Sequence, residues 1–331
     1  MVGEDDDDGM SVITAWTSLV VGSVSFLSCV GTIVIARLCA RRHGYHGWVV
    51  EDTPNLFLYL ALLASDATWG FKYSVDALLR ITEAFGGADF VPCQIFGFVD
   101  VTLTMLRATI GTVYWLHVGA VVWGILRYGA FRRDREWRAV RVVSFSCLLL
   151  SIGVAFLCLG MGWIHRKAPG AWCWFDDDSF WQVLAFGYAW DGLQLILSLA
   201  GLAVPTCTFP EARKNNVWGR QVKVAFRVRA AAALVAPALA VVHGIVRDST
   251  RAAANHADVM LAVSAVLIPL EGFIEAVVFV ASEPQVLRAM LCDHADDEPH
   301  TLQRTGFTTA LEAVFDRPAP TEAAPIASYG F

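Results

Sequence analysis

Ionisable side chains stand inside long apolar runs of this 331-residue chain, and they are its strongest candidates for chemistry. A charge in apolar surroundings is costly, so each one requires a partner of opposite charge or a function. Such a set indicates buried ion pairs, a pocket for a small polar ligand, or a path for ions. The set comprises Asp66, Lys72, Asp76, Asp100, Arg107, Asp191, Glu271 and Glu275.

Arg107 is predicted to lie at the same depth as two sets of carboxylates. Asp66 lies about 18 Å along a helix that begins at Pro54, and Arg107 is at a similar distance from the basic end of its own segment. Glu271 and Glu275 are four residues apart and share one helix face. We expect Arg107 to pair with Asp66 and with one of these glutamates, in a network that could be proton-sensitive. The alternative, an arginine that extends to the membrane surface, conflicts with this depth.

A second group of charges lies nearer the other end of the same segments. Lys72 and Asp76 share one helix face, and Asp100 lies two helical turns after Cys93. These charges are predicted to line an outward pocket for a small polar ligand, although an intrahelical Lys72–Asp76 pair without a ligand role is the alternative. The predicted pocket residues are Lys72, Asp76, Asp100, Trp172, Trp174 and Asp191.

Seven apolar segments carry these charges, and each is long enough to span a bilayer. Their approximate limits are 12–38, 54–79, 92–126, 140–163, 180–205, 222–246 and 258–282. A composition of 56% hydrophobic and 17% charged residues is also too apolar for an ordinary soluble domain. The sequence therefore predicts an all-α membrane protein with a seven-transmembrane helix bundle. We expect no enzyme activity, cofactor or metal site, because the tails are too short for a catalytic domain and no Cys/His spacing suggests zinc.

Lys and Arg are unequally divided between the loops. The loops after segments 1, 3 and 5 hold nine of them and those after segments 2, 4 and 6 hold five, which predicts that the first set is cytoplasmic. The N-terminus is then outside and the C-terminus inside, in a multi-pass protein of the plasma membrane. A basic patch on the inner side could face a partner or only contact lipid. It comprises Arg127, Arg132, Arg133, Arg135 and Arg138.

The chain divides into four predicted regions. An acidic extracellular N-terminus (1–11) precedes the transmembrane domain (12–282), in which Pro237 and Pro269 are expected to kink the sixth and seventh helices. Residues 283–292 are predicted to form a short amphipathic eighth helix on the inner membrane surface, where Cys292 could be palmitoylated. Residues 293–331 are predicted to be a disordered cytoplasmic tail.

Among eight cysteines, Cys93 and Cys173 fall where an oxidising compartment could join them. Cys93 begins the third segment on the outer side, and Cys173 lies in the WCWF sequence of the loop between segments 4 and 5. A disulfide bond between them would hold that loop over the mouth of the bundle. Two free thiols are the alternative.

Seven spans, an outer N-terminus, this cysteine pair and a short eighth helix resemble G-protein-coupled receptors. WCWF and IPLEGFIEAVVF look like the GWCW loop and the helix-7 pattern of the slime-mould cyclic AMP receptor-like class, which is related to the secretin and adhesion receptors. A DRY-like triplet is absent at the end of segment 3, where ILRYGAF stands, and segment 7 has no NPxxY. Glu271 and Glu275 replace the amide residues usual in that pattern.

The resemblance implies a receptor that transmits an extracellular small-ligand signal to a heterotrimeric G protein through rearrangement of the bundle. No nucleic-acid partner is expected, and no spacing of basic residues indicates the phosphate site that cyclic AMP would need. The alternative is a seven-helix ion or proton transporter or channel that uses the Asp/Arg/Glu cluster. A retinal protein would require a lysine in segment 7, where there is none; the deep lysine, Lys72, lies on segment 2.

Overall fold

The computed structural model describes residues 5–42, 54–82, 91–128, 133–166, 173–175, 189–214 and 257–282, together with positions 182, 185, 186 and 238. At the ends of several elements only the backbone path is described. The helices are α1 (Asp5–Arg42), α2 (Pro54–Ile81), α3 (Val91–Tyr128), α4 (Arg133–Gly160), α5 (Ala189–Lys214) and α6 (Ala257–Ser282). The strands are β1 (Ile164–Arg166) and β2 (Cys173–Phe175).

Helix α6 corresponds to the seventh predicted segment. The sixth segment, 222–246 with Pro237, lies outside the described residues except for position 238. The predicted eighth helix, Cys292 and the tail also lie outside them. Pro269 stands inside α6, as the sequence requires, with helix on both sides of it.

Three of the described helices contain stretches that are long and apolar enough to cross a membrane: Ile13–Leu38, Gln94–Val121 and Trp137–Gly160. Helix α2 carries Asp66, Lys72, Asp76 and Arg80, which lowers its hydropathy although it is 28 residues long. Large apolar side chains such as Leu27 on α1 and Phe145 on α4 are more than 60% exposed, at 65% and 61%. In a membrane-spanning bundle, exposed apolar faces of this kind contact lipid.

Helices α2 and α3 form the centre of the bundle. Helix α2 packs against α1, α3 and α6, and α3 also contacts α4 and α5. We call the two ends of the bundle the Cys93 end, where α3 begins, and the Arg133 end, where α4 begins. Strands β1 and β2 pair antiparallel and pack against α3, with Ile164 buried beside Val101 and Met105.

Small residues bring α1, α2 and α6 close together. A Cβ atom at Gly70 would lie 2.8 Å from the backbone oxygen of Gly22, so neither position has room for a side chain. At Gly272 an added Cβ would collide with Ser25 Oγ and lie 3.0 Å from Asp66 Cβ. Small residues at helix contacts allow such approaches in membrane proteins. The contact at Gly272 brings α6 onto α2 at the level of Asp66.

Several helix limits differ from the prediction, and α1 runs from Asp5 to Arg42 rather than over 12–38. Helix α4 begins at Arg133 rather than near 140, so Arg133, Arg135 and Arg138 lie in its first turns and not in a loop. Helix α5 continues to Lys214 rather than ending near 205. Arg, Glu and Lys are good helix formers, so a helix can extend beyond the apolar run that marks its membrane span. The strand pair was not predicted, because strands of three residues are too short to show an alternating pattern.

Candidate functional site

Three charged side chains from three helices meet in the middle of the bundle, and we call them the Arg107 cluster. The Nε atom of Arg107 on α3 lies 2.7 Å from Oδ1 of Asp66 on α2. Its Nη2 atom forms an ion pair with Oε1 of Glu271 on α6. Asp66 and Glu271 are only 3% and 9% exposed. One guanidinium therefore joins α2, α3 and α6 through charges alone.

Local sequence sets the geometry of this cluster. Glu271 follows Pro269 by two residues, and the absent side chain of Gly272 lets α6 approach Asp66. The thiol of Cys29 on α1 donates a hydrogen bond to the Gly272 carbonyl oxygen over 3.2 Å, which holds α6 from the other side. A crevice lined by Trp69, Arg107 and Pro269 adjoins the cluster and is too narrow to hold a water molecule.

Glu275 has a different partner from Glu271. The hydroxyl of Tyr59 donates to Glu275 Oε2 at 2.8 Å and also lies 3.1 Å from its backbone oxygen. The ring of Tyr59 packs against Tyr114 and Phe279, with centroid distances of 5.4 and 5.0 Å. The sequence left open which glutamate meets Arg107, and the structure places Glu271 there and Glu275 one turn nearer the Arg133 end.

A second buried ion pair, which we call the Lys72 pair, lies nearer the Cys93 end. Lys72 Nζ on α2 donates to Oδ2 of Asp100 on α3 at 2.5 Å, and both side chains are about 5% exposed or less. Asp76 forms its ion pair with Arg80, at 3.0 Å and one turn further on. Lys72 therefore reaches across to α3 and has an interhelical partner in Asp100.

Two aromatic rings on α2 connect the Arg107 cluster to the Lys72 pair. Trp69 and Tyr73 stack with an interplanar angle of 7° and a centroid distance of 6.1 Å. The guanidinium carbon of Arg107 lies 5.2 Å from the Trp69 ring centroid, and Lys72 Nζ lies 4.6 Å from that of Tyr73. Both distances suit cation–π attraction. The result is a continuous chain of buried polar contacts along one side of α2.

Sequence reasoning missed Trp69, Tyr73 and Tyr59. A signal for the first two was present, because positions 66, 69, 73, 76 and 80 follow the three- and four-residue spacing of one helix face. Aromatic residues at such spacing usually indicate apolar packing, and here the same face carries charges. Nothing in the sequence marks Tyr59 as the partner of Glu275.

The remaining predicted site residues are less completely described. Asp191 lies in the first turn of α5 and is partly buried, and Arg138 is exposed near the start of α4. Cys93 lies in the first turn of α3 and Cys173 begins β2, which packs on α3, but their side chains lie outside the described part of the chain. The same holds for four arginine side chains and both tryptophans of the WCWF loop: Arg127, Arg132, Arg133, Arg135, Trp172 and Trp174.

Comparison of the whole fold finds similarity to the crystal structure of squid rhodopsin. The TM-score is 0.61, and the match covers 94% of this chain and 93% of that chain at 13% sequence identity. No known family pattern and no curated protein sequence matches the chain. At this identity the likeness concerns the fold.

The chain is thus a multi-pass membrane protein with the seven-helix fold seen in squid rhodopsin. This agrees with the fold class predicted from the seven apolar segments. Within that fold, the described site consists of charges, hydroxyls and aromatic rings shared between helices. Such a site can bind polar groups and can change its pairing when helices move.

Proposed function

We propose that the chain is a G-protein-coupled receptor of the cyclic AMP receptor-like class that responds to a small extracellular ligand. Its fold is that of squid rhodopsin, and WCWF at β2 and IPLEGFIEAVVF in α6 resemble sequences of that class. The observation that carries the proposal is the chain of buried polar contacts that runs from the Lys72 pair to the Arg107 cluster. We propose no enzyme activity.

The ligand site is proposed at the Lys72 pair. Oδ2 of Asp100 accepts from Lys72, whereas Oδ1 has no hydrogen-bond partner among the described residues. A buried carboxylate oxygen without a donor is unfavourable, so a ligand that supplies one gains binding energy. The proposed pocket adds Asp76, Asp191 and the tryptophans of the WCWF loop to the Lys72 pair. A disulfide bond between Cys93 and Cys173 would hold that loop in place.

Transmission then follows the contacts on α2. A ligand that draws Asp100 away from Lys72 changes the position of the ammonium over Tyr73, and Tyr73 stacks on Trp69 under Arg107. Because Arg107 holds α2, α3 and α6 together, a change in its pairing alters how these helices pack. A ligand acts in this way when it binds one arrangement more tightly than the other.

The G protein is proposed to dock at the Arg133 end. In this proposal the basic surface there comprises Arg127, Arg132, Arg133, Arg135 and Arg138, and the kinks predicted from the sequence at Pro237 and Pro269 would allow the movement. In this proposal the N-terminus (1–11) is extracellular, and the eighth helix (283–292) and tail (293–331) are cytoplasmic. The protein would then act at the plasma membrane.

Nucleotide exchange on G-protein α subunits tests the proposal without knowledge of the ligand. Co-expression with a panel of α subunits is expected to raise basal exchange on at least one of them. Arg138→Glu, at an exposed position of α4, should reduce this exchange because it reverses a charge on the docking surface. Thr82→Glu, at an exposed position directly after α2 at the Cys93 end, is the control and should leave exchange unchanged.

Two outcomes would contradict the proposal. One is the absence of exchange on every α subunit when the folded protein is present in the membrane. The other is ion flux through proteoliposomes that contain the purified chain, since a receptor of this kind conducts no ions. Equal loss of exchange in Arg138→Glu and Thr82→Glu would contradict the docking surface alone.

A further inference from the structure

The Arg107 cluster contains more acid than base. The carboxylates of Asp66 and Glu271 meet a single guanidinium, so the cluster carries one net negative charge when both are ionised. The Arg107 side chain itself is only 12% exposed. An uncompensated charge is costly in the middle of a membrane-spanning bundle. The cluster therefore requires a further positive charge.

The described neighbours on α2 and α3 do not supply one. The next cation along α2 is Lys72, which forms its ion pair with Asp100 on α3. Beyond it, Arg80 forms an ion pair with Asp76. In the part of the chain that the structure describes, each of these cations already has an acid of its own.

The other helices that pack on α2 add no positive charge near the cluster. Helix α1 contributes the neutral thiol of Cys29, which donates to the Gly272 oxygen. Two further acids lie nearby: Glu275 of α6, which accepts from Tyr59, and Asp191 of α5, whose charge interacts with that of Arg107. Helix α4 meets α2 near the Arg133 end, where Trp137 packs on Phe57. Among the described residues, no group of three or more acids, histidines and cysteines is arranged to hold a metal ion.

One oxygen of the cluster lacks a donor. Oδ1 of Asp66 contacts Arg107, whereas Oδ2 is buried and has no hydrogen-bond partner among the described residues. Desolvation without a compensating hydrogen bond disfavours the ionised form of a carboxyl. A proton from solvent that binds this oxygen converts the carboxylate to a neutral carboxylic acid. The cluster then holds one negative and one positive charge and is neutral overall.

We propose that the Arg107 cluster is a proton-binding site, with one proton held at Oδ2 of Asp66. The proposal does not depend on whether the protein couples to a G protein. In the unfolded chain both carboxyls face water and ionise near pH 4, about the value for exposed carboxyls. The folded bundle keeps its proton to higher pH, so its stability is highest at low pH and declines as pH rises and the proton leaves.

Thermal unfolding of the full chain in lipid nanodiscs, followed from about pH 5 to about pH 9, tests the proposal. The wild-type unfolding temperature is expected to fall as pH rises. Glu271→Gln removes the excess charge while keeping shape and hydrogen bonding, so its unfolding temperature should vary much less with pH. Glu275→Gln is the matched control on the same helix and should retain the wild-type slope, because its side-chain oxygen can still accept from Tyr59.

Infrared difference spectra between low and high pH give a second readout that does not require unfolding. The carbonyl band of a protonated carboxyl is expected in the wild type and in Glu275→Gln, and it should be lost in Asp66→Asn. Loss of the band in Glu275→Gln with retention in Asp66→Asn would contradict the assignment. So would a wild-type unfolding temperature that depends on Na⁺, relative to choline, but not on pH. In that case a metal cation supplies the missing charge.

Discussion

The Lys72 pair and the Arg107 cluster lie on the same helix and differ in one respect. The Lys72 pair joins one cation to one anion across two helices. The Arg107 cluster joins one cation to two anions across three helices. Both are buried, so the difference lies in charge balance and in the number of helices that each one connects.

This difference assigns the two sites different roles. A balanced buried pair is stable in one arrangement and is disturbed by a molecule that competes for one partner. An unbalanced cluster has alternative arrangements, since its cation can favour either anion and its charge changes when a proton leaves. The Lys72 pair is suited to recognition, and the Arg107 cluster is suited to switching between helix packings.

The largest effect is expected from loss of the shared cation. Arg107→Leu leaves the Glu271 carboxylate without its cation and also removes the contact that joins three helices, and breaking a buried pair costs about 3–5 kcal/mol. We expect a value at the upper end of that range, measured as a loss of unfolding free energy in detergent. Adding Asp66→Asn and Glu271→Gln to the same chain should recover most of the loss. Failure of this triple variant to recover stability would show that Arg107 acts through packing rather than charge.

A slightly smaller effect is expected at the Lys72 pair. Lys72→Met leaves a single carboxylate, that of Asp100, so we expect the lower end of about 3–5 kcal/mol. The double variant with Asp100→Asn should be nearly as stable as the wild type, because no unpaired charge then remains. A double-mutant cycle of unfolding free energies measures this coupling. Additive losses would contradict the ion pair.

The aromatic link is expected to contribute less than either ionic site. Trp69→Leu removes a desolvated cation–π contact worth about 2 kcal/mol and separates the two sites. The coupling energy between Asp100→Asn and Glu271→Gln should then fall towards zero. Trp69→Phe keeps an aromatic face and is the control. Equal coupling in the leucine and phenylalanine variants would mean that the two sites communicate by another route.

Tyr59→Phe is expected to have the smallest effect of this series. It deletes the hydroxyl that donates to Glu275 and keeps the ring contacts with Tyr114 and Phe279. The expected loss of unfolding free energy is about 1–2 kcal/mol, which a thermal shift can measure.

Sequence spacing indicates how deep each charged residue lies along its helix. It does not indicate which neighbouring helix the side chain faces. Helical rise places Asp66 and Arg107 at one level, and the structure brings them together there. Rise alone does not give the rotation of one helix against another. That rotation decides that Lys72 meets Asp100 and that Glu271, rather than Glu275, meets Arg107.

The fold was more predictable than the contacts. The lengths of the apolar segments predicted the all-α membrane class and most helix positions, because a membrane span must be continuous and apolar. The early start of α4 at Arg133 was missed because charged residues continue a helix outside the apolar run. The approach of α6 to Asp66 depends on Gly272 facing Ser25, which only the packed structure shows.

The most direct test of the contrast between the two sites replaces one aspartate in each site by asparagine and compares the two variants. Asp100→Asn and Asp66→Asn remove the same charge from the same kind of side chain. At neutral pH, Asp100→Asn should destabilise the protein by several kcal/mol, on the order of 3, since the buried Lys72 ammonium loses the carboxylate to which it donates. Asp66→Asn should change the unfolding free energy by less than about 1 kcal/mol, because Glu271 still balances Arg107. Equal destabilisation by the two substitutions would contradict the account.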